Sequence, residues 1–143
     1  MNTYERSEQT MSQRLPIHAK NLLTNFFNAK RLSVHSRLIY VQAMESYSKI
    51  VSTPLEQTCN QNLTKWYNSV QEKEPGTIFL YAAKLKTVYS NTLQQQGLSQ
   101  EESNEKSRKL FKSAIPLRQL QREADKRNEL RNKILSAEIS SGY

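Results

Sequence analysis

The side chains able to do chemistry fall into two unequal sets. The first is sparse: two histidines, His18 and His35, and one cysteine, Cys59, in 143 residues. Neither histidine has Cys, Asp or Glu neighbours at the spacing a zinc or iron site requires. His35 shares a helical turn with Ser33 and Ser36, but a nucleophile needs an organised base and a third group to orient it, and nothing here supplies one. No G-x-x-x-x-G-K-[ST] or G-x-G-x-x-G stretch occurs, so the phosphate-cradling loops of nucleotide enzymes are missing. Glu72, Glu74, Glu101 and Glu102 fall in predicted loops and helix starts, where solvation and compensation of the helix dipole account for them. The sequence therefore offers no catalytic set, no metal site, no cofactor and no small-molecule substrate site.

The second set is cationic. Lys30, Arg31, Ser33, His35, Ser36 and Arg37 crowd the start of one predicted helix, where free amides and the positive dipole end already favour an anion. Thr77, Tyr81, Lys84 and Lys86 lie at the start and middle of another. Such charges and hydroxyls contact phosphates, and an α-helix fits the DNA major groove. Lys30, Arg31, Ser33, His35, Ser36, Arg37, Thr77, Lys84 and Lys86 are thus the candidate DNA contacts. The aromatics read differently: Phe26, Phe27, Tyr47, Trp66 and Tyr89 sit at core-type spacings and are expected to pack rather than stack on bases.

Composition agrees with a polyanionic partner. Lys and Arg outnumber Asp and Glu by 21 to 13, a formal charge of +8, and the pI is near 9.7. An apolar content of 36% with a mean hydropathy of -0.76 suits one modest core with polar flanks. No apolar run long enough to span a membrane occurs, and the polar first fifteen residues do not read as a signal peptide. These features predict a soluble, intracellular, cytoplasmic protein. One cysteine excludes an internal disulfide, and Cys59 reads as a buried or incidental thiol.

The elements that must position the cations are helices. Residues 1–14 lack apolar periodicity and read as a flexible arm. Pro16 suits a first helical turn, and Ala19, Leu22, Leu23, Phe26 and Phe27 follow at helical spacing. Ser33 is the expected N-cap of a helix reaching about Val51, whose face is Tyr40, Met44, Tyr47 and Val51; Ser52-Thr53-Pro54 ends it. Thr58 or Asn60 is the expected cap of a short third helix carrying Leu63, Trp66, Tyr67 and Val70. Pro75 and Gly76 read as a turn before a fourth helix bearing Ile78, Tyr81, Ala82, Leu85, Val88, Tyr89 and Leu93. Gly97 offers it a left-handed C-terminal position. Beyond, Ser99 and Glu102 resemble a capping box for a helix to about Lys112, and Pro116 interrupts it. Leu117–Leu135 carries only a thin apolar line. Residues 106–133 hold ten basic side chains against three acidic ones, a run that serves equally as a solvated face or as phosphate contacts.

In order and spacing these features resemble the core-binding domain of tyrosine recombinases, the phage-integrase family. That family's pattern L-S-x-x-T-x-x-x-Y is similar to Leu32-Ser33-Val34-His35-Ser36-Arg37-Leu38-Ile39-Tyr40, with Ser36 for threonine. Pro54-Leu55 with Leu63–Val70, and Thr77, Ile78, Leu85, Lys86, Val88 and Tyr89, resemble its later helices. Leu80 stands where many members carry a basic or polar residue. The resemblance covers about Leu15–Leu93 and implies an all-α, four-helix SAM-like bundle with a basic helical extension. Its divisions would be a 1–14 arm, a 15–97 DNA-binding domain, and a 98–143 linker toward an absent catalytic domain. It further implies duplex DNA as partner at a recombination site, with self-association on DNA left open and no strand-cleaving activity. The family's H-x-x-R follows neither histidine, and Tyr143 lacks the companions of a nucleophilic tyrosine. Ile134–Ile139 resembles the start of a catalytic half. The competing expectation is a helical protein-interaction or accessory module of a mobile element, docking through its thin C-terminal stripe.

Overall fold

A computed structural model of the chain describes residues 2–141, with side chains through residue 138. Among them every regular element is helical: α1 (Thr3–Ser12), α2 (Ile17–Ala29), α3 (Val34–Ile50), a 3-10 turn (Leu55–Gln57), α4 (Asn60–Ser69), α5 (Pro75–Gln95), α6 (Gln100–Ala114) and α7 (Leu117–Ser141). The chain is all-α. Tyr143 lies outside the described residues.

The expected helix signals act as their chemistry requires. Ser33 Oγ accepts the Ser36 amide at 3.2 Å and starts α3. Val51 ends that helix ahead of Pro54, and Tyr40, Met44, Tyr47 and Val51 are all buried. Gly97, at φ 104°, closes α5: its amide bonds Gln94 O at 3.0 Å and the Leu98 amide bonds Leu93 O at 3.1 Å. That 6→1 and 5→2 pair satisfies carbonyls a helix end leaves free. Ser99 Oγ accepts the Glu102 amide at 3.1 Å and opens α6. Phe26, Tyr47, Trp66 and Tyr89 are buried and Phe27 is partly so, packed against the core.

Other boundaries differ for identifiable reasons. Neither Thr58 nor Asn60 caps α4; Cys59 holds that position without a side-chain bond, and its thiol is exposed rather than buried. Thr58 is engaged elsewhere, its Oγ1 accepting the Tyr47 hydroxyl at 2.7 Å within the core. Pro75 and Gly76 are not a turn before α5 but its first residues, because proline needs no amide hydrogen bond there.

Two larger corrections follow. Residues 1–14 are not a flexible arm: Asn2 Oδ1 accepts the Glu5 amide at 2.8 Å while Glu5 returns a bond to the Asn2 amide, a capping box that starts α1. The helix buries none of its residues fully and lies against α3, so no apolar stripe announced it. Nor is Gly97 a packing boundary. The core runs from Leu15 to Leu120 and takes in Phe111, Ile115 and Leu120 from the segment expected to be a linker. Phe111 sets its ring 6.0 Å from that of Tyr89. Of these three core residues only Leu120 belongs to the thin Leu117–Leu135 line; Phe111 and Ile115 lie before Pro116, and the three together complete a core begun by α5.

α5 stands at the centre: α2, α3, the 3-10 turn, α6 and α7 all pack on it. α4 is clamped between α3 and α6, with Trp66 fully buried and its Nε1–H donating to Ser46 Oγ at 3.0 Å. Ala124 of α7 comes so near Gly76 that a Cβ there would lie 3.5 Å from its own. Arg127 and Glu74 pair just beyond. Past that pair α7 continues without core contacts, leaving Leu130, Ile134 and Leu135 about half exposed.

Phe111→Ala should therefore lower stability by about 3–5 kcal/mol, measured by urea denaturation, and a chain cut after Gly97 should lose its cooperative transition. An unchanged midpoint would return α6 to the status of a tail. Burial pushes the Tyr47 hydroxyl from 10.0 up to about 12, against the opposing Thr58 hydrogen bond and with Cys59 and Glu56 adding to the rise. The fold holds the neutral phenol, so this stabilisation is complete below pH 10.0 and lost as pH climbs through about 12. Ultraviolet titration should show tyrosine ionisation coupled to alkaline unfolding, and Tyr47→Phe should reduce that coupling, leaving what the Tyr40, Tyr81 and Tyr89 hydroxyls, also raised by burial, contribute.

Candidate nucleic-acid interface

The cations predicted from sequence separate into two groups once folded. Lys30 and Arg31, just past the end of α2, are exposed. With Thr24, Phe27, Asn28 and Arg37 they line a hollow between α2 and the start of α3. Lys30 also lines a groove between α5 and α6, where it faces Lys86, Gln94, Asn104 and Arg108. Lys86, Ser90 and Gln94 follow at i, i+4 and i+8, so they form one ridge along α5. Ser90 Oγ donates to Asn104 Oδ1 at 2.8 Å and ties that ridge to α6.

A third hollow continues the line. Arg108 lines it together with Lys112, Arg118 and Arg122, around Ile115 and Pro116 at the α6–α7 junction. Lys30 thus joins the first hollow to the second, and Arg108 joins the second to the third. Among the described residues no carboxylate lines any of the three. Two other hollows are mixed in sign. One sets Glu45 and Glu72 opposite Arg14, Lys49 and Lys73, and the other sets Glu74 opposite Arg127 and Arg131.

Among the described residues, Lys30, Arg31, Lys86, Lys112, Arg118 and Arg122 take part in no ion pair. Arg108 is partly neutralised, with Nη2 3.0 Å from Glu105 Oε1. The neighbouring arginine pulls the exposed Glu105 carboxyl below the usual carboxylate value by hydrogen bonding, and Lys109 adds to it. The α5–α6 groove has a volume of about 310 Å³, at the small end for ligand pockets, and amides, hydroxyls and cations line it together with a comparable extent of apolar surface. Lys30 and Lys86 carry charge on this surface that no carboxylate in the described residues compensates, a balance that favours anions.

Most of the remaining predicted contacts are engaged within the protein. Arg37 lines the first hollow, but its Nε donates to Glu8 Oε2 at 3.0 Å and its Nη1 to the Leu32 carbonyl at 3.1 Å. His35 packs edge-on against Tyr4, ring centroids 5.0 Å apart. Ser33 caps α3 through the Ser36 amide, and the Ser33 hydroxyl donates to Ser36 Oγ at 3.1 Å. Lys84 sets its ammonium 4.9 Å from the centre of the Tyr40 ring, a cation–π contact. Two residues along a helix turn about 200°, so Lys84 and Lys86 cannot share a face. Burial raises the Tyr40 hydroxyl above its ordinary value, against a hydrogen bond with Thr87. Thr77 sits in the first turn of α5, roughly 15 Å along the axis from Thr87 and the groove. Tyr81 is turned to the mixed-sign hollow, beside Lys73 and Glu45.

Sequence reasoning did not single out Arg108, Lys112, Arg118 and Arg122. The signal was present: two cation pairs, each spaced by four, flank Ile115-Pro116-Leu117. Their convergence depends on the bend at Pro116 and on burial of Ile115 and Leu120, which spacing alone does not reveal. Among the described residues no three His, Cys, Asp or Glu side chains gather as a metal-ligand group, and no helix is long and apolar enough to cross a membrane. Comparison with protein-family models, with characterised proteins and with solved structures returned no match for this chain.

Proposed function

We propose that this chain is a duplex-DNA-binding module, related to the core-binding domain of a tyrosine recombinase, that holds a recombination site for DNA integration. In this reading α2, α3, α4 and α5 are the four helices of a SAM-like bundle. The chain grips DNA and leaves strand cleavage to catalytic residues it does not contain. It works inside the cell, on DNA.

The observation that carries the reading is the run of three hollows without a lining carboxylate, joined through Lys30 and Arg108. A duplex presents closely spaced negative charges, and neutralising several of them releases condensed counterions; a single small anion gives no such return. Lys30, Arg31, Lys86 and Arg108 therefore serve as phosphate contacts. Gln94, Asn91 and Asn104 in the same groove are the side chains able to reach a base edge or a bridging water. Arg37 contributes less than its sequence position suggests, because Glu8 and the Leu32 carbonyl already occupy its donors.

A second reading, a protein-interaction module, draws on Leu130, Ile134 and Leu135, which are left open on the projecting part of α7. That stripe is short and interleaved with charge, whereas the cationic line spans four helices.

Duplex affinity, followed by fluorescence anisotropy between 50 and 200 mM salt, should fall linearly on a logarithmic plot. Lys30→Ala with Lys86→Ala should weaken all duplex sequences alike and reduce that slope by about two. An affinity indifferent to salt sinks the proposal. Glu8→Gln should strengthen binding a few-fold at low salt, an effect of about 1 kcal/mol or less, since it removes an anion and frees the Arg37 guanidinium. Weaker binding by a folded Glu8→Gln chain would mean that Arg37 works only when held by Glu8.

A further inference from the structure

The junction of α6 and α7 is built more firmly than a linker needs. Ile115 ends α6 with its amide on Phe111 O at 2.9 Å, Pro116 breaks the ladder, and the Leu117 amide returns to Ile115 O at 2.9 Å. Phe111, Ile115 and Leu120 anchor both arms of this elbow in the core. Arg108 and Lys112 stand one turn apart on the first arm, Arg118 and Arg122 one turn apart on the second. All four line one hollow of about 450 Å³.

We propose that this elbow is a second phosphate-gripping element, carrying the backbone of the same duplex beyond the α5–α6 groove and onto α7. The proposal rests on the duplex-binding reading and extends its footprint. Cations one helical turn apart are separated by about 6 Å along each axis, a spacing that lets neighbouring side chains reach successive phosphates of one strand. Three of the four are arginines, whose planar forks bond phosphate oxygens two at a time. Ile115, Pro116 and Leu117 form the apolar part of the wall. They offer a sugar edge a surface with no polar group to desolvate.

Two features favour a polyanion over a small ion. The four cations sit on two different helices around an open hollow, with no buried polar side chain to close on a single phosphate. Arg108 also lines the adjoining groove, so an occupant of one hollow continues directly into the other. Lys112, Arg118 and Arg122 have no ion-pair partner among the described residues, which leaves their charge for an outside ligand.

The experiment is a salt titration of duplex binding by the full chain carrying Arg118→Gln and Arg122→Gln. Glutamine keeps helix propensity close to that of arginine, and circular dichroism checks that α7 persists. The double variant should bind a long duplex more weakly, with the salt slope reduced by about two. On duplexes shortened step by step, its difference from the unaltered chain should vanish once the DNA no longer reaches the elbow. If the double variant keeps the full slope and affinity while Lys30→Ala with Lys86→Ala loses both, the elbow proposal is overturned and the duplex reading stands. If the unaltered chain does not bind duplex at either end of the salt range, both fall. Displacement of the duplex by poly-glutamate of matched charge, as effective as by a second duplex, assigns the elbow to an acidic protein surface and also overturns the proposal.

Discussion

Burial of α5 on nearly every side is the constraint from which the other features follow. Ile78, Ala82, Leu85, Val88, Tyr89 and Leu93 are all buried, and helices before and after it in the chain supply the walls. A helix enclosed in this way needs partners at several angles, and a four-helix arrangement leaves part of it bare. The elbow of α6 and α7 closes that gap with Phe111, Ile115 and Leu120. Its cations come into position as a consequence of core completion. Part of a basic segment that looked like a solvated tail is anchored in the core because a few of its residues are hydrophobic.

The polar side of α5 is correspondingly narrow. Lys86, Ser90 and Gln94 occupy it, and the groove they line is bounded by the end of α2 and by α6. This is where helices from three parts of the chain bring Lys30, Lys86 and Arg108 together, of which Arg108 alone is paired, with Glu105. On the far side of α3 positive charge is compensated locally. Glu45, almost fully buried, faces Arg14 and Lys49 at 3.6 and 3.0 Å. Taking a carboxylate out of water is costly unless it is paired, and those two cations supply the pairing. The net charge of the chain therefore says less about an interface than the distribution of its acids does.

α1 changes the meaning of the α3 start. From sequence, Lys30 through Arg37 is one cationic cluster at a helix N-terminus. In the fold Glu8 and Tyr4 approach from α1 and engage Arg37 and His35, so the cluster divides into an occupied half and an open one. The contact with Glu8 leaves the Arg37 side chain 29% exposed. Such a pair contributes modestly to stability but decides which guanidinium is available to a ligand. Two of the strongest sequence candidates are thus placed in structural roles by a helix that carries no hydrophobic periodicity.

The sequence by itself determined the helices from α2 onward and most of their faces. Ser33, Pro54, Gly97 and Ser99 act through bonds within a few residues of themselves, and Tyr40, Met44, Tyr47 and Val51 declare a face through a 3.6-residue repeat. Local chemistry of that kind is legible without knowing what lies across the core. Asn2 and Glu5 are a local start signal of the same kind, but tertiary structure alone decided that the helix they open is held by residues about thirty positions away, and that Phe111 belongs with Tyr89. It also decided that Lys84 turns to Tyr40 while Lys86 joins Lys30 and Arg108. The reason is physical: a charge acquires its role from the partner that reaches it, and partners distant in the chain meet only when the core closes.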